Sequence, residues 1–393
     1  MDVAIVADDL TGAADAAVEF AEPGRRVYVA LNPAVGEQAD VLAVDTDSRE
    51  QAAGEAARRV AATVRVLAAT APGRWFKKMD STLRGNVAVE LAAFKAQTAT
   101  PLVIVAPAFP AQRRSIVDFA LLCDGHSMAG STGSYHLPTL LAACAGAQLL
   151  IPLSIVRAGR AAIGSRLLNA PEETLVIADA IEDADLDAIV AAAEASGRPV
   201  AYAGSAGLAA ALGRARGVAL APAPPLDGPA SALFVVGSLQ AVARRQLAVA
   251  AQRFGAPVVA SVDGSPGSLA AQDEVRIANV LRRCGNVLLA TPSVAEADPR
   301  AIAANAGWAA ARLIREYNVG RLFVTGGDLA RALCERLGIT RLVVRGQVLN
   351  GVPALTALDG VPGLELVTKA GGFGDDDTLL HISRYLTARE WRQ

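Results

Sequence analysis

Three short stretches in the first half of the chain bring together side chains fit for chemistry: Asp8-Asp9, Asp45 with Asp47 and Arg49, and Lys77-Lys78-Met79-Asp80-Ser81-Thr82-Leu83-Arg84. The mixture of charges suits a small polar anion. Arg49 or a lysine can pair with a carboxylate. The aspartates can accept hydrogen bonds from sugar hydroxyls, and Asp9 or Asp80 can take a proton from an attacking hydroxyl. Hard carboxylate oxygens at Asp8-Asp9 or Asp80 also suit Mg2+. A competing reading makes Asp8, Asp45 and Asp80 helix N-caps or solvated loop residues; it weighs more against any one of them than against the set. Lysine usage sharpens the pattern. The chain has four lysines, Lys77, Lys78, Lys95 and Lys369, and three of them fall in the motifs singled out on other grounds.

The second half replaces charge by glycine. Gly237-Ser238, Thr325-Gly326-Gly327-Asp328 and Lys369-Ala370-Gly371-Gly372-Phe373-Gly374 each follow an apolar run and precede a helix-period segment. Glycine lets backbone N–H groups approach an anion closely, and a helix N-terminus favours negative charge. Three such turns at one sheet edge suit a nucleotide triphosphate. No G-x-x-x-x-G-K-[ST] loop is present, and no G-x-G-x-x-G follows the first strand, which weighs against a dinucleotide.

These motifs need a scaffold that places them side by side. Short apolar runs alternate with helix-period segments: Val3–Ala7 then helix 13–22, Val41–Val44 then 50–69, Trp75-Phe76 then a long charged loop and helix 86–96, and Leu102–Ala106. The alternation resumes with Leu175–Ala178, helix 184–196 and Val200–Ala203. It runs on through Leu233–Val236 with helix 239–253, Leu322–Val324 with helix 329–337, and Leu364–Thr368 with helix 376–386. Such alternation predicts an α/β fold with mostly parallel sheets flanked by helices. Ligands of such sheets bind beyond the carboxyl ends of the strands. Residues 111–150, with Gly125, Gly130 and Gly133, read as loops. The run Ala221–Pro229 holds four prolines and cannot lie inside a helix or central strand. It predicts a linker at 221–230 between a substrate domain, 1–220, and a nucleotide domain, 231–393, with the site in the interdomain cleft.

Composition narrows the classes. A formal net charge of −2 carries no nucleic-acid footprint. Cys123, Cys144, Cys284 and Cys334 lack disulfide or zinc spacing and read as reduced thiols, and His126, His136 and His381 fit no zinc pattern. Tyr135, His136 and Trp308 read as packing or surface groups. With no leader-like start and no long apolar run, a cytoplasmic protein without membrane or nucleic-acid partners is expected.

Taken together, the motifs resemble those of the four-carbon acid sugar kinases. The resemblance rests on Ala7-Asp8-Asp9-Leu10-Thr11-Gly12-Ala13, Asp47-Ser48-Arg49, Lys77 through Asn86, Ala106-Pro107-Ala108-Phe109-Pro110, Gly204-Ser205-Ala206-Gly207-Leu208, Thr325–Asp328 and Thr368–Gly374, in the family's order across nearly the whole chain. It implies ATP-dependent phosphorylation, with Mg2+, of a tetronate-type acid such as threonate, erythronate or an oxo derivative. By motif, it implies substrate contacts at Asp8 or Asp9, Arg49, Lys78, Met79, Asp80 and Ser81. Catalysis is expected of Asp9, Lys78, Asp80 and Arg84. Nucleotide contacts are expected at Ser238, Gly326, Gly327, Asp328, Lys369, Gly371 and Gly372. A homodimer is compatible with it. The chain departs from the pattern in a short, altered 111–150 segment, in Leu239-Gln240 after the Gly-Ser pair, in Leu329, and in Gln347 and Asn350. Two rival readings are a non-catalytic metabolite-binding relative and an NAD-dependent hydroxy-acid dehydrogenase.

Overall fold

Fully apolar pentapeptides such as Val3–Ala7 and Leu102–Ala106 have no polar side to turn toward water, so they form strands covered on both faces. The computed structural model describes residues 1–33, 38–128, 135–228, 230–259, 267–292 and 299–388. Gly130, Gly133 and Pro229 lie outside these residues. The chain separates into two compact units, Met1–Leu220 and Ala221–Gln393.

In the first unit the strands are β1 (Val3–Ala7), β2 (Val27–Ala30), β3 (Val41–Asp45), β4 (Arg74–Lys78), β5 (Leu102–Ala106), β6 (Arg114–Val117), β7 (Ala120–Cys123), β8 (His126–Ser127), β9 (Gln148–Ile151), β10 (Thr174–Ala178) and β11 (Val200–Gly204). Eight of them form one sheet in the order β2-β3-β1-β4-β11-β5-β10-β9, with every pair parallel. β3, β1 and β4 are therefore neighbours, and their carboxyl ends deliver Asp8-Asp9, Arg49 and Asp80 to one edge.

Three expectations are corrected here. Asp45, Lys77 and Lys78 belong to strands rather than to the loops after them. The first helix starts at Leu10, not residue 13, because Asp9 caps it by accepting from Gly12 N at 2.7 Å. Residues 111–150 are also not simply loops. β6, β7 and β8 form an antiparallel sheet, reversed at Asp118-Phe119 and Asp124-Gly125, all four with positive φ. Two consecutive left-handed residues match the right-handed twist of a hairpin. The Asp-Gly pair was a sequence signal for the second turn.

The second unit contains β12 (Ala232–Val236), β13 (Val258–Val259), β14 (Asn286–Ala290), β15 (Arg321–Thr325), β16 (Arg341–Leu349), β17 (Val352–Ala357) and β18 (Glu365–Lys369). Their order is β13-β14-β12-β15-β18-β17-β16, and only β17 runs against its neighbours. Thr325 and Lys369 are the last strand residues, not loop residues. Phe234, Phe323 and Val367 pack with Leu379, Ile382 and Leu386 of helix Thr378–Thr387. Phe234 and Phe323 lie 5.5 Å apart between ring centroids. The proline-rich stretch is bound to this unit: Ala223 N donates to Gln347 O at 2.8 Å, and Arg321 Nη2 donates to the carbonyls of Asp227 and Gly228.

No disulfide links the four cysteines. Among the described residues no helix is long and apolar enough to cross a membrane.

Lys77 and Glu90 form an ion pair of 2.8 Å with side chains 1% and 3% exposed. Removing one partner strands the other charge. Lys77→Met should therefore cost about 3–5 kcal/mol in urea unfolding. Adding Glu90→Leu should restore most of that loss.

Candidate functional site

Arg49 organises the charged edge of the first unit. Its Nε donates to Asp8 Oδ2 at 2.7 Å, its Nη1 to Asp9 Oδ2 at 2.5 Å, and its Nη2 stands 3.6 Å from Asp80 Oδ2. Asp80 is gripped from its other side by Arg84, with Nη2 to Oδ2 at 2.7 Å and Nε to Oδ1 at 3.2 Å. Thr82 donates to Asp80 Oδ1 through both its amide, at 2.9 Å, and its hydroxyl. Asp9 spends Oδ1 on the helix cap and accepts from Thr11 Oγ1 at 2.8 Å on Oδ2. Each oxygen of Asp9 and Asp80 thus already accepts a donor. Asp8 differs, because its Oδ1 is buried with no partner.

Lys78 lies beside this network, 4% exposed. Its Nζ donates to Met79 O at 3.0 Å. A methyl group at Gly12 would lie 3.2 Å from that Nζ, which places the ammonium over the first turn of the helix Leu10–Ala17. Met79 and Ser81 are buried beside it. Lys77, its neighbour in sequence, is not part of the site, because its ammonium is committed to Glu90. Arg84 keeps 54% of its side chain exposed, so it is the cation of this edge most open to solvent.

The surroundings set the protonation of these groups. Burial works to raise the Asp8 carboxyl, but Arg49, Lys77 and Lys78 outweigh it and leave it below its ordinary value. Burial also opposes ionisation of Asp80, yet Arg49, Arg84 and Thr82 hold it well below the usual carboxylate range. Arg49 is shifted the other way: burial would lower it, and Asp8, Asp9 and Asp80 raise it well above its ordinary value. One further group was not singled out from sequence. Asp15, within the helix Leu10–Ala17, is 4% exposed, and burial pushes it up to about 7, with Lys78 opposing and Asp9 and Asp80 adding to the rise. The signal was available: Asp15 is the one charged residue of a helix that is otherwise small and apolar.

In the second unit the glycine turns gather at the carboxyl ends of β12, β15 and β18, which are adjacent in that order. Ser238 lies against both other turns. A Cβ at Gly326 would be 3.4 Å from Ser238 N, and one at Gly371 would be 1.9 Å from Ser238 Oγ, so only glycine fits position 371. Gly326 has φ +107° and begins the helix Gly327–Leu337, whose first turn carries the exposed Asp328. Gly327 and Gly372 are partly exposed. Leu329, where a small hydroxyl residue is usual in the motif, packs against the Cα of Gly237. Lys369 is turned beneath its own loop. Its Nζ donates to the carbonyls of Ala370 at 2.9 Å and Phe373 at 2.9 Å, and reaches that of Gly371 at 3.5 Å. Gln246 Nε2 holds the carbonyls of Phe373 at 2.9 Å and Asp375 at 2.7 Å. Burial lowers Lys369 to about 7.

Among the described residues no group of three or more His, Cys, Asp or Glu is placed to hold a metal ion. Asp9 and Asp80 have no oxygen left uncommitted and Asp8 offers only Oδ1, so the carboxylates of this edge supply too few ligands for a protein-bound Mg2+.

A charged edge in one α/β unit and a glycine-lined edge in the other are the two kinds of site that a two-unit phosphotransferase would use. Comparison with known proteins agrees. Residues 3–212 match a sugar-binding N-terminal domain family and residues 233–379 a nucleotide-binding C-terminal domain family. A D-threonate kinase of Cupriavidus necator is 36% identical, covering 98% of this chain and 97% of its own. A D-erythronate kinase of Heliobacterium modesticaldum is 29% identical over 98% and 97%. A solved Salmonella typhimurium LT2 structure, provisionally described as a tRNA synthase, superposes with TM-score 0.78 at 25% identity, covering 98% of this chain and 99% of that one. The chain belongs to the four-carbon acid sugar kinase family. It is a kinase, which sets aside the dehydrogenase reading.

A carboxyl held below its unfolded value stabilises the fold above that value and ceases to do so as pH falls through the folded one. Asp80→Asn should therefore lower unfolding free energy by roughly 3 kcal/mol at neutral pH. Urea titrations repeated toward acid should show the gap to wild type narrowing as Asp80 protonates.

Proposed function

We propose that this kinase phosphorylates a hydroxyl of a four-carbon sugar acid at the charged edge of its first unit, with ATP held by the glycine turns of the second, and that D-threonate is the preferred acid. The observation that carries the substrate reading is the pairing of Lys78 with Asp8. A buried ammonium with donors to spare stands near a buried carboxylate oxygen that has no partner. One suits an acid's carboxylate and the other its hydroxyl; both are costly to leave unsatisfied, which favours a ligand carrying both groups.

The glycine turns fit a nucleotide by the same test. Gly371 makes room for the Ser238 hydroxymethyl group, and the helix Gly327–Leu337 starts at Gly326 with no side-chain cap, so that hydroxyl and the first amides of the helix are suited to phosphate oxygens. Ser238, Gly326, Gly327, Gly371 and Gly372 would hold the nucleotide, which supplies the γ-phosphoryl group. With Lys369 and Gln246 holding carbonyls inward and the Phe373 amide donating to Ala370 O, the amides of Gly371 and Gly372 are the ones suited to phosphate. Mg2+ is expected to accompany the phosphates, and no step is assigned to it on the protein. Arg49 fixes Asp8, Asp9 and Asp80 in register, and Arg84, the solvent-facing cation, is suited to the charge that develops on the transferred group. The preference for D-threonate is supported by the 36% identity to a D-threonate kinase against 29% to a D-erythronate kinase.

Turnover of ATP should be measured with D-threonate, D-erythronate and an oxo-tetronate. D-Threonate should give the highest kcat/KM, and silence across a broad panel of four-carbon acids would sink the proposal. Gly371→Ala should raise the KM for ATP by at least about tenfold while leaving the KM for the acid nearly unchanged, roughly 1.4 kcal/mol. Pairing it with Ser238→Gly, which removes the colliding hydroxymethyl group, should recover much of the loss.

A further inference from the structure

Asp15 has no part in the reading so far, yet it is the most unusual group at the charged edge. Its carboxyl is buried in the helix Leu10–Ala17, and its Oδ1 accepts no hydrogen bond. Native proteins rarely leave a buried polar atom so, and each such case calls for a reason. Gly12 lies three residues earlier, on the same helix face. The ammonium of Lys78 reaches over that position, 3.2 Å from where a methyl group on Gly12 would stand. Lys78, Asp9 and Asp80 are the ionisable groups that act on Asp15. It therefore faces the same edge as the network around Arg49, but stands outside that network.

The other carboxylates are poorly suited to take a proton. Asp9 and Asp80 have both oxygens committed to donors. Asp8 has one oxygen without a partner, but Arg49 keeps the group ionised, so it can accept a hydrogen bond better than a proton.

We propose that Asp15 is the proton acceptor for the substrate hydroxyl. This rests on the kinase reading above. In the step, the hydroxyl O–H bond breaks and its proton passes to Asp15. The freed electron pair of that oxygen forms the bond to the γ-phosphorus, and the bond from that phosphorus to the bridging oxygen breaks, its electrons leaving with ADP. Taking the proton also removes a buried, unpartnered negative charge, so the acceptor is stabilised by the event it promotes. The raised value of about 7, set first by burial, fits a base that works near neutrality.

The test is the pH dependence of kcat/KM with the acid that turns over best, in wild type and Asp15→Asn. Wild type should lose activity toward acid with a midpoint near 7. Asp15→Asn should lower kcat by about 10²–10⁴-fold with little change in KM, and its acid limb should vanish. Its fold should survive: a group raised on folding weakens the native state as pH rises past its unfolded value, so the uncharged amide should melt no lower than wild type above neutrality. A second readout needs no activity. Infrared difference spectra of the ligand-free protein should show a protonated carboxyl that titrates near neutrality and is missing in Asp15→Asn. A variant that keeps wild-type kcat, or that loses rate but keeps the acid limb, overturns Asp15 as acceptor and leaves the kinase reading intact. A wild type silent with every acid defeats the kinase reading itself, and this proposal with it.

Discussion

Arg49 is a single guanidinium on which three backbone segments depend. It is supplied by the segment after β3 and holds carboxylates that follow β1 and β4, the two strands next in the sheet. A planar group with five donors can do this where an ammonium cannot, because its N–H vectors are fixed relative to one another. Asp8, Asp9 and Asp80 would repel if gathered alone. With the cation among them they become a rigid frame, and Arg84 and Thr82 complete the frame around Asp80. Asn86 anchors the same segment from behind by donating to the carbonyls of Ser48, Arg49 and Gln51.

The glycine edge solves the opposite problem. On the proposed reading a ligand there is met by backbone, so the loop's carbonyls have to be occupied elsewhere. Lys369 and Gln246 take them from beneath, one from the end of β18 and one from the helix Ala241–Phe254. In the charged unit a buried cation orders side chains. In the glycine unit it orders carbonyls, and its own burial pushes it toward neutrality.

Much of this was legible before any coordinates. Apolar pentapeptides marked the strands, and their alternation with helix-period segments marked the α/β architecture. What sequence left out followed from geometry it does not carry. Lys77 and Lys78 read as a pair while they were placed in a loop. In a strand successive side chains face opposite sides, which sends one to Glu90 and the other to the charged edge. Lys369 read as reaching outward, and only the course of its loop shows it turned under. Asp15 was visible as the one charged residue of a small, apolar helix, but its burial and its lack of a partner at Oδ1 come only from the fold. The hairpins of residues 114–127 depend on Asp118-Phe119 adopting left-handed backbone, which that pair does not announce.

The charge balance of the first edge ties these observations together. Arg49, Arg84 and Lys78 face Asp8, Asp9, Asp80 and Asp15, so the cations and anions match only when Asp15 carries a proton. A bound sugar acid adds a further negative charge, which disfavours a second uncompensated carboxylate nearby and draws Asp15 toward its protonated form. On the proposed reading, substrate binding makes Asp15 a stronger base and moves upward the pH above which it is ionised and able to accept the hydroxyl proton. Lys78 tempers this by opposing the rise. Its place over Gly12, between the frame held by Arg49 and the buried carboxyl of Asp15, lets one ammonium act on both.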